Sequence, residues 1–248
     1  MKKRLDKHIV DLGHAASRER AQALILAGRV LVDEQRVDKP GTPVAETVQI
    51  RMLGEDLKFV SRGGLKLERA LEYWHIDVTG LACVDVGAST GGFTDCLLQR
   101  GAASVLAIDT GYGQIAQKLR SDARVSLMER TNARLLERGT LPSGISLIVM
   151  DVSFISATLV LPAVLGGLAR GDTAWRGGLV LLVKPQFEAG REAVGKGGIV
   201  RDPEARQYAV ERVTETVKSL GGREAEVIDS PIRGMEGNHE YLLRAVFN

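Results

Sequence analysis

The sequence predicts an α/β protein in two parts. Residues 61–248 read as a doubly wound, mostly parallel sheet with one antiparallel C-terminal strand. Residues 1–54 read as a small α+β domain, and 55–60 as the linker between them. Three observations carry this reading. Apolar runs at 82–86, 104–108, 146–150 and 179–183 alternate with helical segments, as parallel strands joined by crossovers do. The first strong run leads into a glycine-rich loop, VDVGASTGGF (84–93). The first sixty residues instead hold two short helical patterns and short strands punctuated by turn residues.

Composition narrows the class. Of 248 residues 44% are hydrophobic and 26% charged, which is ordinary for a globular chain. The net charge of +2 rules out a chain that is basic throughout. Residues 1–60 hold 11 Lys/Arg against 9 Asp/Glu, and residues 61–248 hold 22 of each, so the excess positive charge is N-terminal. Cys83 and Cys96 have neither CxxC spacing nor a nearby histidine, so neither a disulfide framework nor a metal site is expected. The N-terminus, MKKRLDKH, has no apolar h-region. The longest apolar stretch, 155–169, contains Pro162 and falls short of the ~20 residues that span a bilayer. These features predict a cytoplasmic protein with no membrane partner.

In RLDKHIVDL (4–12) the apolar residues fall at helical spacing, and Gly13 ends the helix. Ser17 is the N-cap of a second helix through Ala21, Leu24 and Ile25, with Gly28 at its C′ position. Val30-Leu31-Val32 forms a strand, residues 33–36 a turn, and Val44 to Ile50 a returning strand. This order, with the text SRERAQALILAGRVLVDEQRVDKPG, resembles the S-four-like RNA-binding domain over residues 3–52. Asp33-Glu34 stands where that domain more often has Asn-Gly. The resemblance implies that Arg18, Arg20 and Arg29, with Arg4 beside them, face RNA phosphates. Such contacts supply affinity and register rather than sequence choice.

In the larger part, Gly87, Ser89, Gly91 and Gly92 shape a loop that lets a ligand approach the backbone and opens a helix at Phe93. Asp109 ends the next strand, 22 residues after Gly87, where an acid suits ribose hydroxyls. This is a Rossmann-like arrangement. The loop reads GxSxGG, however, and lacks the middle glycine of a dinucleotide fingerprint. Asp85, inside the strand, is placed to meet the ammonium of a methionine moiety. Together these favour S-adenosylmethionine over a nicotinamide cofactor. Asn132, after the third strand, falls where an adenine contact would lie; a helix N-cap is the other reading. Residues 190–197, GREAVGKG, approach a phosphate loop but put glycine where the magnesium-binding hydroxyl belongs. A substrate-side loop is expected there.

Four charged residues complete the pattern: Lys66, Asp151, Lys184 and Glu240. Asp151 and Lys184 follow apolar runs and should sit at carboxyl ends of strands, where open α/β sheets bind ligands. Lys66 lies on a helix opened by Arg62-Gly63-Gly64, and Glu240 opens the last strand. Methyl transfer from a sulfonium is an in-line displacement that needs a nucleophile about 3–3.5 Å away. A ribose 2′-hydroxyl must first lose its proton. A lysine accepts it only when neutral, against a free pKa of ~10.4, and a neighbouring cation favours the neutral form. Lys184 is the expected base and Lys66 the neighbouring cation; Asp151 and Glu240 orient the two ammonium groups. Arg62 is expected to touch RNA. Phe154 and Tyr241 read as core residues, with packing near a bound nucleoside as the other reading, and His239 as incidental.

Taken together, the segments FVSRGGLKLERAL, VDVGASTGGFTD, DVSFIS, LVKPQFE, GKGGIVRD and GNHEYLL resemble the TlyA (haemolysin A-like) family along nearly the whole chain. That family joins an S-four-like domain to an FtsJ-like, class I methyltransferase domain. Thr110 departs from the family's usual valine. The resemblance implies 2′-O-methylation of cytidine in ribosomal RNA or subunits, with S-adenosylmethionine as donor and no metal. A non-catalytic RNA-binding assembly factor is the competing reading. A pore-forming haemolysin finds no signal, spanning segment or long basic amphipathic helix to support it.

Overall fold

The computed structural model describes residues 2–15, 17–26, 28–53, 58–234 and 236–248. Contacts divide the chain into Met1–Asp56 and Leu57–Asn248.

The first unit runs β1 (Lys2–Arg4), α1 (Leu5–Asp11), α2 (Arg18–Leu26), β2 (Val30–Val32), β3 (Gln35–Arg36), β4 (Pro43–Ala45) and β5 (Ile50–Met52). Leu5, Ile9, Ala21, Leu24, Ile25, Val30 and Val44 form its core. Ser17 caps α2 by accepting the Arg20 N–H at 3.2 Å. Gly28, at φ 66°, ends the helix: its N–H bonds Ile25 and the Arg29 N–H bonds Leu24, satisfying the last carbonyls. Asp33 and Glu34 take φ of 48° and 65° in the turn between β2 and β3. Two positive φ angles make the tight hairpin turn that Asn-Gly usually supplies. The Asp33 carboxylate stabilises it by accepting the Gln49 N–H at 2.9 Å. The expected strand from Val44 to Ile50 is instead two strands in different sheets. β4 pairs with β1, β5 pairs with β2, and a turn at 46–49 separates them.

Of the expected linker, residues 55–57 lie outside the described residues. Residues 58–60 are bends, held in the second unit by buried Phe59 and by the Val60 N–H, which donates to Asp95 at 2.8 Å.

The second unit contains α3 (Gly63–Tyr73), β6 (Ala82–Val86), α4 (Gly92–Gln99), β7 (Ser104–Ile108), α5 (Gln117–Arg120), β8 (Val125–Met128), β9 (Ile145–Met150), α6 (Ala157–Leu168), β10 (Gly177–Val183), α7 (Pro185–Glu188), α8 (Pro203–Ser219), β11 (Arg223–Asp229) and β12 (Tyr241–Phe247). Its seven strands lie in the order β11-β12-β10-β9-β6-β7-β8, and β12 runs antiparallel to both neighbours. Because β6, β7, β9 and β10 are largely buried on both faces, they read as continuous apolar runs. Val84, Ile148, Leu181 and Leu243 belong to a core shared with α6 and α8; Cys83, Val149, Val180 and Leu242 belong to one shared with α3 and α4. The chain winds outward from β6 through β7 to β8, then returns to β9 on the other side. Ligands bind in the crevice that such a reversal leaves at the carboxyl ends of the strands.

Candidate active site

The glycine-rich loop is shaped by two crowded backbones. β6 and β9 end side by side, and the Asp151 N–H donates to the Val86 carbonyl at 2.9 Å. A Cβ on Gly87 would stand 2.5 Å from the Asp151 carbonyl oxygen, and Gly87 has φ 84°. Only glycine meets both demands. Gly91, at φ 94°, precedes α4, and Gly92 passes close to Ser61 and Gly64 at the start of α3. Phe93 is buried beneath the loop. Ser89, at φ 50°, donates its N–H to Asp109 Oδ2 at 2.7 Å, and the Gly111 N–H donates to Oδ1 at 2.7 Å. Asp109 thus braces the loop from the end of β7.

Asp85 is fully buried in β6. Its Oδ2 accepts the Thr94 N–H at 2.9 Å and the Thr94 hydroxyl at 2.7 Å, whereas Oδ1 has no partner among the described residues. Burial pushes its carboxyl up to about 7; the Thr94 bonds oppose this, and the charge of Asp151 adds to it.

The four charged residues form two ion pairs. Lys66 Nζ lies 2.5 Å from Glu240 Oε2, across 174 positions of sequence. Lys184 Nζ lies 2.6 Å from Asp151 Oδ1 and donates to Ser153 Oγ at 2.6 Å. Asp151 Oδ1 itself is off the direction of a hydrogen bond, so the Lys184–Asp151 contact is a charge pair rather than a directed bond. Lys184 and Asp151 follow β10 and β9, Lys66 projects from the first turn of α3, and Glu240 precedes β12. The Glu240 side chain is 3% exposed and the two lysine side chains 10% each, so the pairs sit where charge interactions are weakly screened.

All four line one cavity of about 850 Å³, together with Asp85, Gly87, Ser89, Gly92, Phe93 and Arg62. Gly91, Asp109 and Asn132 do not line it. Asn132 caps a single turn, Ala133–Leu135, by accepting the Arg134 N–H at 3.1 Å. Arg62 is exposed, with no partner among the described residues. In the first unit, Arg4 and Arg18 both clamp the buried Asp6 at 2.9 Å, yet their side chains stay 47% and 45% exposed. Together with Gln22, they hold the Asp6 carboxyl well below its usual range. The Arg29 Nε donates to the Leu53 carbonyl at 2.8 Å.

Phe154 departs from expectation. It is 93% exposed, has φ 64°, lines the cavity and meets Phe187 at 5.6 Å between ring centroids. An apolar residue four places after a strand reads locally as core, and only the left-handed turn at Phe154 sends it outward. Ser153, Gln186 and Phe187 are further lining residues without a signal of their own in the sequence. Residues 190–197 form no helix beyond the turn Arg191–Ala193, although Val194 and Gly198 reach the cavity wall.

The donor set fits S-adenosylmethionine. Asp85 Oδ1 is an unpaired buried acceptor beside the loop, Gly87 and Gly92 keep the backbone open, and Asp109 ends the adjacent strand. Comparison with known proteins agrees. Residues 59–247 match the FtsJ-like methyltransferase family and residues 3–50 the S4 domain. The 16S/23S rRNA (cytidine-2′-O)-methyltransferase TlyA of Mycobacterium tuberculosis is 46% identical over 97% of this chain and 88% of its own length. Hemolysin A of Brachyspira hyodysenteriae is 42% identical over 96% of this chain and 98% of its own. A solved Streptococcus thermophilus structure bearing the label hemolysin superposes with TM-score 0.73 at 42% identity, covering 100% of this chain and 89% of that one. The glycine loop, the two ion pairs and these matches lead to one conclusion: the chain belongs to the FtsJ-like methyltransferase family, alongside TlyA and hemolysin A, with an S4 domain at its N-terminal end.

Proposed function

We propose that this chain transfers a methyl group from S-adenosylmethionine to the 2′-hydroxyl of a cytidine in ribosomal RNA. The observation that carries the reading is the pair of buried lysine–carboxylate contacts lining one cavity with the glycine-rich loop. The Mycobacterium relative named for this reaction is 46% identical over nearly the full chain.

S-adenosylmethionine supplies an electrophilic methyl on a sulfonium, poised for in-line attack. Asp85 Oδ1 would receive the ammonium of the methionine moiety, and Asp109 the ribose hydroxyls. Lys184, once neutral, takes the proton of the 2′-hydroxyl at Nζ. Asp151 and Ser153 hold Nζ in place, 2.6 Å from each. Lys66 offers positive charge to the alkoxide that develops, and Glu240 aims it. Proton transfer to a placed base is worth about 10²–10⁴ in rate. Phe154 presents a solvated ring at the cavity mouth, where an unstacked base could lie; stacking on an aromatic ring contributes about 1–3 kcal/mol per base. Arg62 and the S4-domain residues Arg4, Arg18, Arg20 and Arg29 would meet phosphates of the RNA, and a ribosomal substrate supports a cytoplasmic site of action.

The test is transfer of labelled methyl from S-adenosylmethionine to ribosomal RNA or subunits from cells lacking this protein, followed by digestion to nucleosides. Label in 2′-O-methylcytidine supports the reading. Label in a base-methylated nucleoside, or no label on any RNA or subunit, overturns it.

A further inference from the structure

His239 lies immediately before Glu240, and its surroundings are more ordered than a surface histidine requires. Its Nε2 lies 2.8 Å from Asp229 Oδ1 at the end of β11. Its Nδ1 lies 3.1 Å from the Arg206 guanidinium on α8. Its ring stacks on Tyr241 with 5.0 Å between centroids and 5° between planes. Arginine can only donate. Nδ1 must therefore accept, which leaves the ring proton on Nε2, the nitrogen 2.8 Å from Asp229 Oδ1. One neutral tautomer satisfies both contacts, so the ring is held on three sides: by β11, by α8 and by its neighbour in β12.

Side chains alternate across an extended strand. His239 and Tyr241 face α8, where Tyr241 joins the core shared with α6 and α8. Glu240 faces the other way, onto Lys66 of α3, and Leu242 follows it into the opposite core. Fixing residues 239 and 241 on one face fixes the direction of residue 240 on the other. The backbone agrees: the Glu240 carbonyl accepts the Ser230 N–H at 2.9 Å, continuing the β11–β12 ladder past Asp229 and Tyr241.

We infer that His239 is a positioning residue for catalysis, acting through Glu240 to hold the Lys66 ammonium at the reaction site. The kinetic part of this inference rests on the methyl-transfer reading above; the structural part does not.

Two readouts test it. In steady-state kinetics His239→Ala lowers kcat about tenfold, since small misplacements of a reacting group cost this much and more. KM for RNA and Kd for S-adenosylmethionine stay within about twofold, because His239 does not line the cavity. His239→Gln recovers most of kcat, as its amide again offers one donor to Asp229 and one acceptor to Arg206. The double variant His239→Ala/Glu240→Gln is no slower than Glu240→Gln, because both changes remove the same interaction. The second readout is Lys66 acetylation by acetic anhydride, followed by peptide mass spectrometry. Lys66 becomes several-fold more reactive in His239→Ala, returns to the wild-type level in His239→Gln, and Lys184 is unchanged. A purely stabilising histidine would lower the melting temperature while leaving both kcat per folded molecule and Lys66 reactivity as in wild type; that result overturns the inference. So does a loss of kcat that adds fully to that of Glu240→Gln. If the wild-type protein methylates no RNA, the functional reading falls by itself, and Lys66 reactivity alone decides the role of His239.

Discussion

Lys184 leaves β10 with its Nζ 2.6 Å from both Asp151 and Ser153, a placement that leaves the ammonium little freedom. Lys184→Ala removes the proposed base and leaves the glycine-rich loop intact. The expected outcome is a loss of about 10²-fold or more in kcat, with S-adenosylmethionine affinity within about twofold, measured by single-turnover transfer and calorimetry. Asp85 gives a prediction of another kind. Its carboxyl is pushed up to about 7 by burial, above the ordinary carboxylate value near 3.9. The folded state therefore binds more protons than the unfolded state between about pH 4 and 7. Stability is lost as pH rises through that window, and the full cost is present above it. Asp85→Asn removes a buried charge. It should raise the melting temperature by about 2 °C or more at pH 8, and the gain should shrink as pH falls through 7 toward 4. Cofactor binding should weaken in the same variant. A gain independent of pH would assign the effect to packing instead.

At the scale of elements, the site depends on how closely two strand ends approach. Gly87 at the end of β6 faces the Asp151 carbonyl at the end of β9, and an added Cβ would stand 2.5 Å from that oxygen. Gly87→Ala must also hold φ 84°, which is strained for any residue with a Cβ. Either the loop or the Asp151 backbone has to move. The expected outcome is a drop of about 10-fold or more in cofactor affinity together with a kcat loss, since the shift also displaces the partner of Lys184. Retained kcat with saturating cofactor would show that the loop alone had yielded. Much of this architecture was legible beforehand. Asp151 and Lys184 each close an apolar run, and such runs mark buried parallel strands whose carboxyl ends carry ligands. The split of the expected 44–50 strand into β4 and β5 was not legible, because period-two patterning says nothing about which sheet each half joins. Asn132 stayed ambiguous for a related reason: one amide serves equally as a helix cap or a ligand contact, and in the structure it caps the turn Ala133–Leu135.

At the scale of the whole molecule, the chain couples an S4 domain to a methyltransferase unit. The partly exposed side chains of Arg4 and Arg18 sit on the first unit, while the glycine-rich loop and both ion pairs sit on the second. Deletion of residues 1–55 should therefore weaken RNA binding by about 10-fold or more at 0.1 M salt, with most of the loss disappearing at high salt, because phosphate contacts release counterions. Affinity for S-adenosylmethionine should stay within about twofold. Equal RNA affinity with and without the segment, by filter binding, would remove the S4 domain from substrate capture.

The sequence by itself determined the alternation of strands and helices in the second unit, the glycine-rich loop and the identity of the four charged residues. Each of these is written in a local signal: a period, a turn residue, an acid or base closing an apolar run. Only the tertiary structure decided the partners. Lys66 meets Glu240 because β12 inserts between β10 and β11, which brings together residues 174 positions apart. Phe154 faces solvent because one left-handed residue turns it out, and His239 is held by Arg206 and Asp229 because α8 and β11 converge on the face opposite Glu240. Contacts of this kind depend on sheet order and on the direction of a single side chain, neither of which is encoded by the residues immediately around it.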